Sequence, residues 1–403
     1  MGSNTLTNLI GPLYEAMDVV SRELVGFFPA VTRDPSIDRV ALGQQVYSFV
    51  PPAATATDIT PGVIPPDDGD QTIGNVGLTI TRTKRVPFRW NGEQTLGINN
   101  NGPGVQAIKN GQIAQAIRTL TNLMELDLAN CAYANASRAS GTAGTDPFQT
   151  TLQDPAQVRK ILDDNGAPAA DRSLIINTSA GAAMRTLSQL TKVNEAGDDT
   201  LLRQGTLLDI HNFAIRESAQ VQTPAIGTSS NTGTTNTAGY AIGATQITLA
   251  AAGTGTIVPG DIVTFAGDPN KYVVGNLQAY TNGSTTLSGG SGVASLAAGG
   301  VLTIAAPGLR KAIPASAQTV TVVGLGARNV GFSRNALVLA ARLPALPDGG
   351  DLAVDRATVT DPRTGFSFEI SMYAQYRQMQ YEISAAWGVS AVKSEHIALL
   401  LGA

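Results

Sequence analysis

Two histidines, a single cysteine and a few acidic or glycine-rich clusters are where this chain could do chemistry. His211 and His396 have neither the HExxH spacing nor that of a Cys/His metal site. His211 alternates within TLLDIHNFAI and reads as a strand residue facing polar surroundings; His396 reads as structural. Cys131 falls on an apolar helical stripe and is expected to be buried; one cysteine excludes an intramolecular disulfide and fits a reducing compartment. The segment GLGARNVG, from Gly324, puts Asn329 where a dinucleotide fingerprint needs glycine, and no GxxxxGK[ST] loop occurs. In PPDDGDQ the carboxylates of Asp67, Asp68 and Asp70 miss the calcium-loop spacing and read as an exposed acidic hairpin tip, the alternative being an intersubunit salt bridge to Arg82, Lys84 or Arg85. Glu195, Asp198 and Asp199 read as a polar loop, and the sequons at Asn135, Asn177 and Asn282 as chance matches. No catalytic constellation, metal site or cofactor site emerges.

Composition narrows the function class. The 403 residues suffice for about two to three domains. Charged residues are 14% of the chain, against about 25% in ordinary soluble proteins, with 43 glycines and 5% aromatics, so much of the surface is expected to be covered by something uncharged. A net charge of −4 argues against gripping nucleic acid by phosphate neutralisation. The N-terminus has no basic region followed by an apolar signal core, and no stretch of 18 apolar residues occurs, so neither secretion nor membrane insertion is expected.

The elements that would position these groups are legible in part. Between residues 11 and 26, Leu13, Met17, Val20 and Leu24 follow amphipathic-helix spacing with Pro12 in the first turn. The helix packs either on its own domain or, as an N-terminal arm, on a neighbour. Residues 44–90 read as a long projecting hairpin: QQVYSFVPP, a long middle loop, then VGLTITRTKRVPFRW ending at Trp90. A loop of that length inside a compact domain is improbable unless it binds something or reaches another chain. Residues 104–139 carry Ile113, Ile117, Leu120, Met124, Leu128 and Cys131 on one stripe, which predicts one helix of about 25 to 35 residues. A shorter helix at 155–163, a strand at 173–177 and a helix capped by Thr178 or Ser179 follow, the alternation of a mixed α/β unit. From about 221 to 323 short Gly-, Thr- and Val-rich pieces predict an all-β module, inserted between the flanking core stretches TLLDIHNFAI and NVGFSRNALVLAARL. A strand at GFSFEISMYA and the segment YEISAAWGVSAVKSEHIALLLG end the chain. The fold class expected is α+β with an inserted barrel-like all-β domain.

Three features together resemble the major capsid proteins of tailed phages, particularly short-tailed phage coats with an inserted β-barrel. They are GPLYEAMDVVSRELVGFFPAV, the order of elements just described, and AAWGVSAVKSEHIALLLG with Trp387, Gly388, Val389, Lys393, Glu395 and Ile397. The resemblance implies the Hong Kong 97-type fold. Residues 1–35 would be the N-arm, 36–102 the E-loop and flanking strands, and 103–189 the spine helix and peripheral domain. The axial domain would be 190–221 and 323–360 around the insertion at 222–322, with 361–403 returning as a C-terminal strand. It implies no enzyme, but hexamers and pentamers of a shell that encloses double-stranded DNA without sequence-specific binding and without a membrane. A scaffolding protein, a portal protein and in some cases a cement or decoration protein would be partners, and assembly in the host cytoplasm would precede expansion into the virion capsid. Assembly contacts would come from Leu13, Met17, Val20 and Leu24, the tip acids Asp67, Asp68 and Asp70, and Arg82, Lys84, Arg85 and Trp90. Self-crosslinking members of the family join a lysine to an asparagine; Lys84 with Asn100 or Asn101 does not stand out as such a pair. An encapsulin-like cargo shell shares the fold but seldom carries such an insertion. A secreted adhesin or surface-layer protein would explain the β region but neither the long helix nor the missing signal.

Overall fold

The computed structural model describes residues 25–50, 56–59, 61–64, 70, 73–101, 105–191, 207, 209–251, 257–275, 301–360 and 366–403. The first half of the chain holds β1 (Thr32–Val40), β2 (Gln45–Val50), β3 (Gly74–Thr79), β4 (Arg82–Asn91), α1 (Gly92–Asn101), α2 (Val105–Ala134), β5 (Arg138–Ser140), α3 (Gln153–Asp164), β6 (Arg172–Ile176), α4 (Thr178–Thr186) and α5 (Ser188–Thr191). After β7 (Ala214–Glu217) come the module strands β8 (Gly233–Thr235), β9 (Gln246–Ala251), β10 (Ile262–Phe265), β11 (Lys271–Val273), β12 (Val301–Thr303) and β13 (Thr319–Val322). The closing strands are β14 (Arg328–Ser333), β15 (Leu337–Pro344), β16 (Ala353–Thr360), β17 (Ser367–Gln375), β18 (Gln378–Ala391) and β19 (Ile397–Leu401).

Two large sheets and a hairpin organise these elements. In the first sheet the order is β1-β15-β18-β17-β16, with β4 on the other side of β18. The 30-residue α2, about 45 Å long at 1.5 Å per residue, lies along β18 and β4. Its buried stripe (Ile113, Ala116, Ile117, Leu120, Met124, Leu128) meets Ile383, Trp387, Phe368 and Ile370 from the sheet, an apolar stripe on an apolar sheet face. The second sheet has eleven strands in the order β12-β9-β8-β13-β10-β11-β5-β19-β14-β6-β7. α3 and α4 bury Val158, Leu162, Ala180 and Met184 against Leu174, Phe213 and Leu400 in a second core. A third core is drawn from residues 247–322, including Phe265, Tyr272, Ile304 and Val322. That module is not hung on linkers alone. β11 pairs with β5 (Lys271 opposite Ala139, Tyr272 opposite Arg138), and β5 runs parallel beside β19, so backbone hydrogen bonds carry module and body as one sheet.

Several sequence expectations change. The return arm of the hairpin is two strands, because Ile80 turns into the body, its N–H donating to the Gln44 carbonyl while that of Thr81 donates to the Trp387 carbonyl. The cap of α4 is Asn177, not Thr178 or Ser179: its side chain accepts from the Ala180 N–H at 3.0 Å. The long helix stops at Ala134, since 138–140 leave it for the sheet. His211 is not on a strand; it sits exposed in a turn at φ 51°, beside Asn212 at 66°, where the tight Ile210–Phe213 bridge reverses the chain. The closing segment contributes three strands rather than one, because β18 is long enough to pair with β15, β17 and β4 at once.

Candidate assembly surface

Strands β2 and β3 pair only with each other, from Gln45 opposite Thr79 out to Val50 opposite Gly74. A two-stranded ribbon without a covered face is marginal in water. This one is also apolar where it is most exposed: Tyr47 is 61% accessible, Ile73 69%, and Ile59, Val63 and Ile64 in the connecting loop lie between 80% and 103%. With Leu42, six of the thirteen large hydrophobic side chains exposed among the described residues fall within 42–73, so the exposure is concentrated in the arm and not scattered.

The root of the arm is fixed by contrast. Leu78, Ile80 and Val40 pack on Ala340 and Ala386, on the sheet face away from α2. There Gly388 is required by contact: a Cβ on it would stand 2.2 Å from the Thr79 carbonyl oxygen. Replacing Gly388 by Ala must separate the two backbones, and we expect a loss of about 2 to 3 kcal/mol in urea unfolding, the usual scale of overpacking; an unchanged midpoint would mean the crossing is loose. On the helix side, Asp127 of α2 accepts the Trp387 indole N–H at 2.9 Å and pairs with Arg82 at 3.0 Å. One carboxylate thus ties helix, central strand and the first residue of β4.

A second carboxylate on the same helix holds residues 26–28. Glu125, 1% exposed, accepts from the N–H of Gly26 (2.7 Å) and Phe27 (2.8 Å) and from the Ser218 hydroxyl (2.8 Å) on one oxygen, and from the Phe28 N–H (2.9 Å) on the other. Phe27 then stacks on Phe332, and Phe28 meets Phe366 with the two rings tilted at 47°. Burial pushes the Glu125 carboxyl above its ordinary range, and the bonds from Phe27, Ser218, Phe28 and Gly26 draw it part of the way back. A raised folded-state value means that this group's contribution is full below the unfolded carboxyl range and declines as pH rises through the folded value.

Leu13, Met17, Val20, Leu24, Asp67 and Asp68 lie outside the described residues, and Asp70 is exposed. Arg82 and Arg85 both meet acids of their own chain: Arg82 binds Asp127, and Arg85 binds Glu382 at 2.6 Å, because β4 is drawn antiparallel beside β18 and beneath α2. The hydrogen bond and charge of Glu382 hold the Arg85 guanidinium above its ordinary value. Lys84 stands exposed opposite Ala385. Trp90 is half-buried, donates to Gln112 at 2.8 Å and borders a shallow cleft with Arg89, Gln94 and Gly97. Sequence reasoning missed Glu125 and Asp127, although two acids inside the apolar run LMELDLA were a visible signal. It also missed the pairing of buried Glu369 with Arg39 (2.5 Å) and Arg356 (3.1 Å) on the sheet's other face. Among the described residues no group of three or more His, Cys, Asp or Glu could hold a metal, and no helix is long and apolar enough to cross a membrane.

No family model matches the chain, and no curated protein matches it. Among solved structures it is similar to the capsid of the cyanophage P-SCSP1u, at 12% identity and a TM-score of 0.48 over 93% of this chain and 86% of that one. It is also similar to the mature capsid of bacteriophage PhiM1 (11%, 0.44, 93% and 86%) and to a structure from Mycobacterium phage Che8 (12%, 0.44, 90% and 88%).

Proposed function

We propose that this chain is the repeating subunit of a closed protein shell, a coat protein of the tailed-phage type that encloses double-stranded DNA and does no chemistry of its own. The observation that carries the reading is the arm at 42–73: a rooted ribbon whose described apolar side chains have no cover among the described residues. Obligate interfaces of about 2,000 to 5,000 Å² are built from surfaces of this kind, rich in exposed apolar groups and poor in charge. Neighbouring copies supply the cover; the net charge of −4 leaves packaged DNA unbound. In this reading 1–35 is the N-arm, 36–102 the E-loop with its flanking strands, 103–189 the spine helix and peripheral domain, and 190–221 with 323–360 the axial domain. Residues 361–403 return to both. Hexamers and pentamers assemble around a scaffolding protein, with a portal at one vertex. The side chains of Leu13, Met17, Val20, Leu24, Asp67, Asp68, Asp70, Arg82, Lys84, Arg85 and Trp90 are assigned to contacts between copies.

The test is negative-stain microscopy of the purified chain, alone and with a small acidic or helical protein encoded beside it as candidate scaffold. Closed shells of uniform diameter support the reading. A strict monomer in both preparations, over a range of salt and concentration, overturns it.

The inserted module is assigned a bracing role. Arg138, 3% exposed, uses Asn270 of the module (3.2 Å) with the Ile161 carbonyl and Asn165, and Lys271 donates to the Gly141 carbonyl. The Arg328 guanidinium, 1% exposed, is lowered by burial, and the charge of Asp261 in the module draws it part of the way back. Deleting 222–322 strips β5 of a strand partner and removes the third core with the Asp261 charge. We expect the deleted chain to sediment as aggregate after lysis; a normal soluble yield would remove the brace.

A further inference from the structure

The four bonds to Glu125 come from two chain segments that are about 190 residues apart. One is the root of the N-terminal segment at Gly26 to Phe28; the other is Ser218, where β7 ends and the chain sets off toward the module. The two also touch directly, since a Cβ on Gly26 would lie 2.9 Å from the Glu217 carbonyl oxygen. From Ser218 the path to the module is fastened at Ser218, Gln220, Gln222 and Gly227. The Ser218 N–H donates to the Ile176 carbonyl at 3.0 Å, and its hydroxyl accepts the Gln220 N–H at 3.2 Å. The Gln222 carbonyl accepts from the Arg328 N–H at 2.9 Å. At the far end the Asp261 carboxylate accepts from Gly227 (3.1 Å) and from Val258 (2.8 Å), inside the module.

We infer that residues 26–28 and the strut 218–227 behave as one mechanical unit fastened by Glu125, so that displacement of the N-terminal root is felt at Asp261 in the module. Sequence neighbours do not make this link; one buried carboxylate does, and it can be broken without touching either end. This holds whether or not the chain builds a shell. Coupling between sites is reciprocal, so a disturbance at Asp261 must also loosen the root.

Hydrogen exchange of backbone amides in the full chain, read on peptides covering 25–31, 219–228 and 257–263, tests it. Glu125→Gln places an N–H donor among donors. It is expected to raise exchange of the Gly26 to Phe28 amides about tenfold, and that of Gly227 and Val258 in the same direction by several-fold, while amides of β17 and β18 keep their wild-type rates. Asp261→Asn is expected to accelerate Gly26 to Phe28 in turn. Acceleration at 26–28 alone, or no change at either end, overturns the inference. Should Glu125→Gln fail to fold, Ser218→Ala, which removes the bond to Glu125 and the one accepted from the Gln220 N–H, is read on the same peptides: rates rising together at 26–28 and at Gly227 and Val258 support the unit, and a rise at one end only overturns it.

Discussion

A chain in which residues 51–73 are replaced by Asn-Gly will fold and will not assemble. The substitution closes β2 and β3 at the Val50–Gly74 pair with a two-residue turn suited to a hairpin and removes Ile59, Val63, Ile64 and Ile73 from solvent. None of these side chains belongs to a core cluster, so unfolding free energy is expected to stay within about 1 kcal/mol of wild type. Shell formation has lost its most apolar contact surface, and the concentration at which shells appear in light scattering is expected to rise at least about a hundredfold, some 2.8 kcal/mol. Shells of normal size at normal concentration would show that the arm is not the assembling surface. Loss of folding would place the arm inside the stability of the subunit itself.

The opposite pattern is expected of Trp387→Ala. Trp387 is fully buried between α2 and the first sheet, and its N–H satisfies Asp127, which also carries Arg82 at the arm's root. Truncation combines a large cavity with a lost hydrogen bond, about 3 to 5 kcal/mol, a large share of the roughly 5 to 15 kcal/mol that holds a domain together. The melting temperature of the unassembled subunit should fall by about 10 °C. Trp387→Phe keeps most of the packing, forfeits the bond, and should cost about 1 kcal/mol. Equal losses in the two variants would assign the whole effect to the Asp127 bond.

The parts of this fold that could be read from sequence are those where one periodicity dominates. The α2 stripe from Ile113 to Leu128 and the alternation of Phe366, Phe368 and Ile370 each repeat often enough to define a face, and the structure buries both. The hairpin arm was legible for a different reason: the Pro, Gly and acidic residues between 51 and 72 mark a break between two strand-like stretches. What escaped were features set by distant partners. The break at Ile80 depends on the closeness of Gly388, some 300 residues on. His211 alternates correctly for a strand, yet the bridge from Ile210 to Phe213 forces it into a turn. Arg82 and Arg85 were read as cations awaiting an outside acid because nothing local marked Asp127 and Glu382 as their partners. The contact residues at the N-terminus and hairpin tip are placed by pattern alone.

The position of β19 has a consequence for the order of synthesis. It is the last of the described strands in chain order, and it stands between β5 and β14 in the eleven-stranded sheet. Without it seven strands on one side and three on the other share no backbone pairing, so the emerging chain holds two unjoined half-sheets until residues 397–401 leave the ribosome. Joining is then a single late event between distant segments, which makes it slow relative to helix formation. A chain that has not yet emerged past residue 401 is therefore structurally incomplete at its centre.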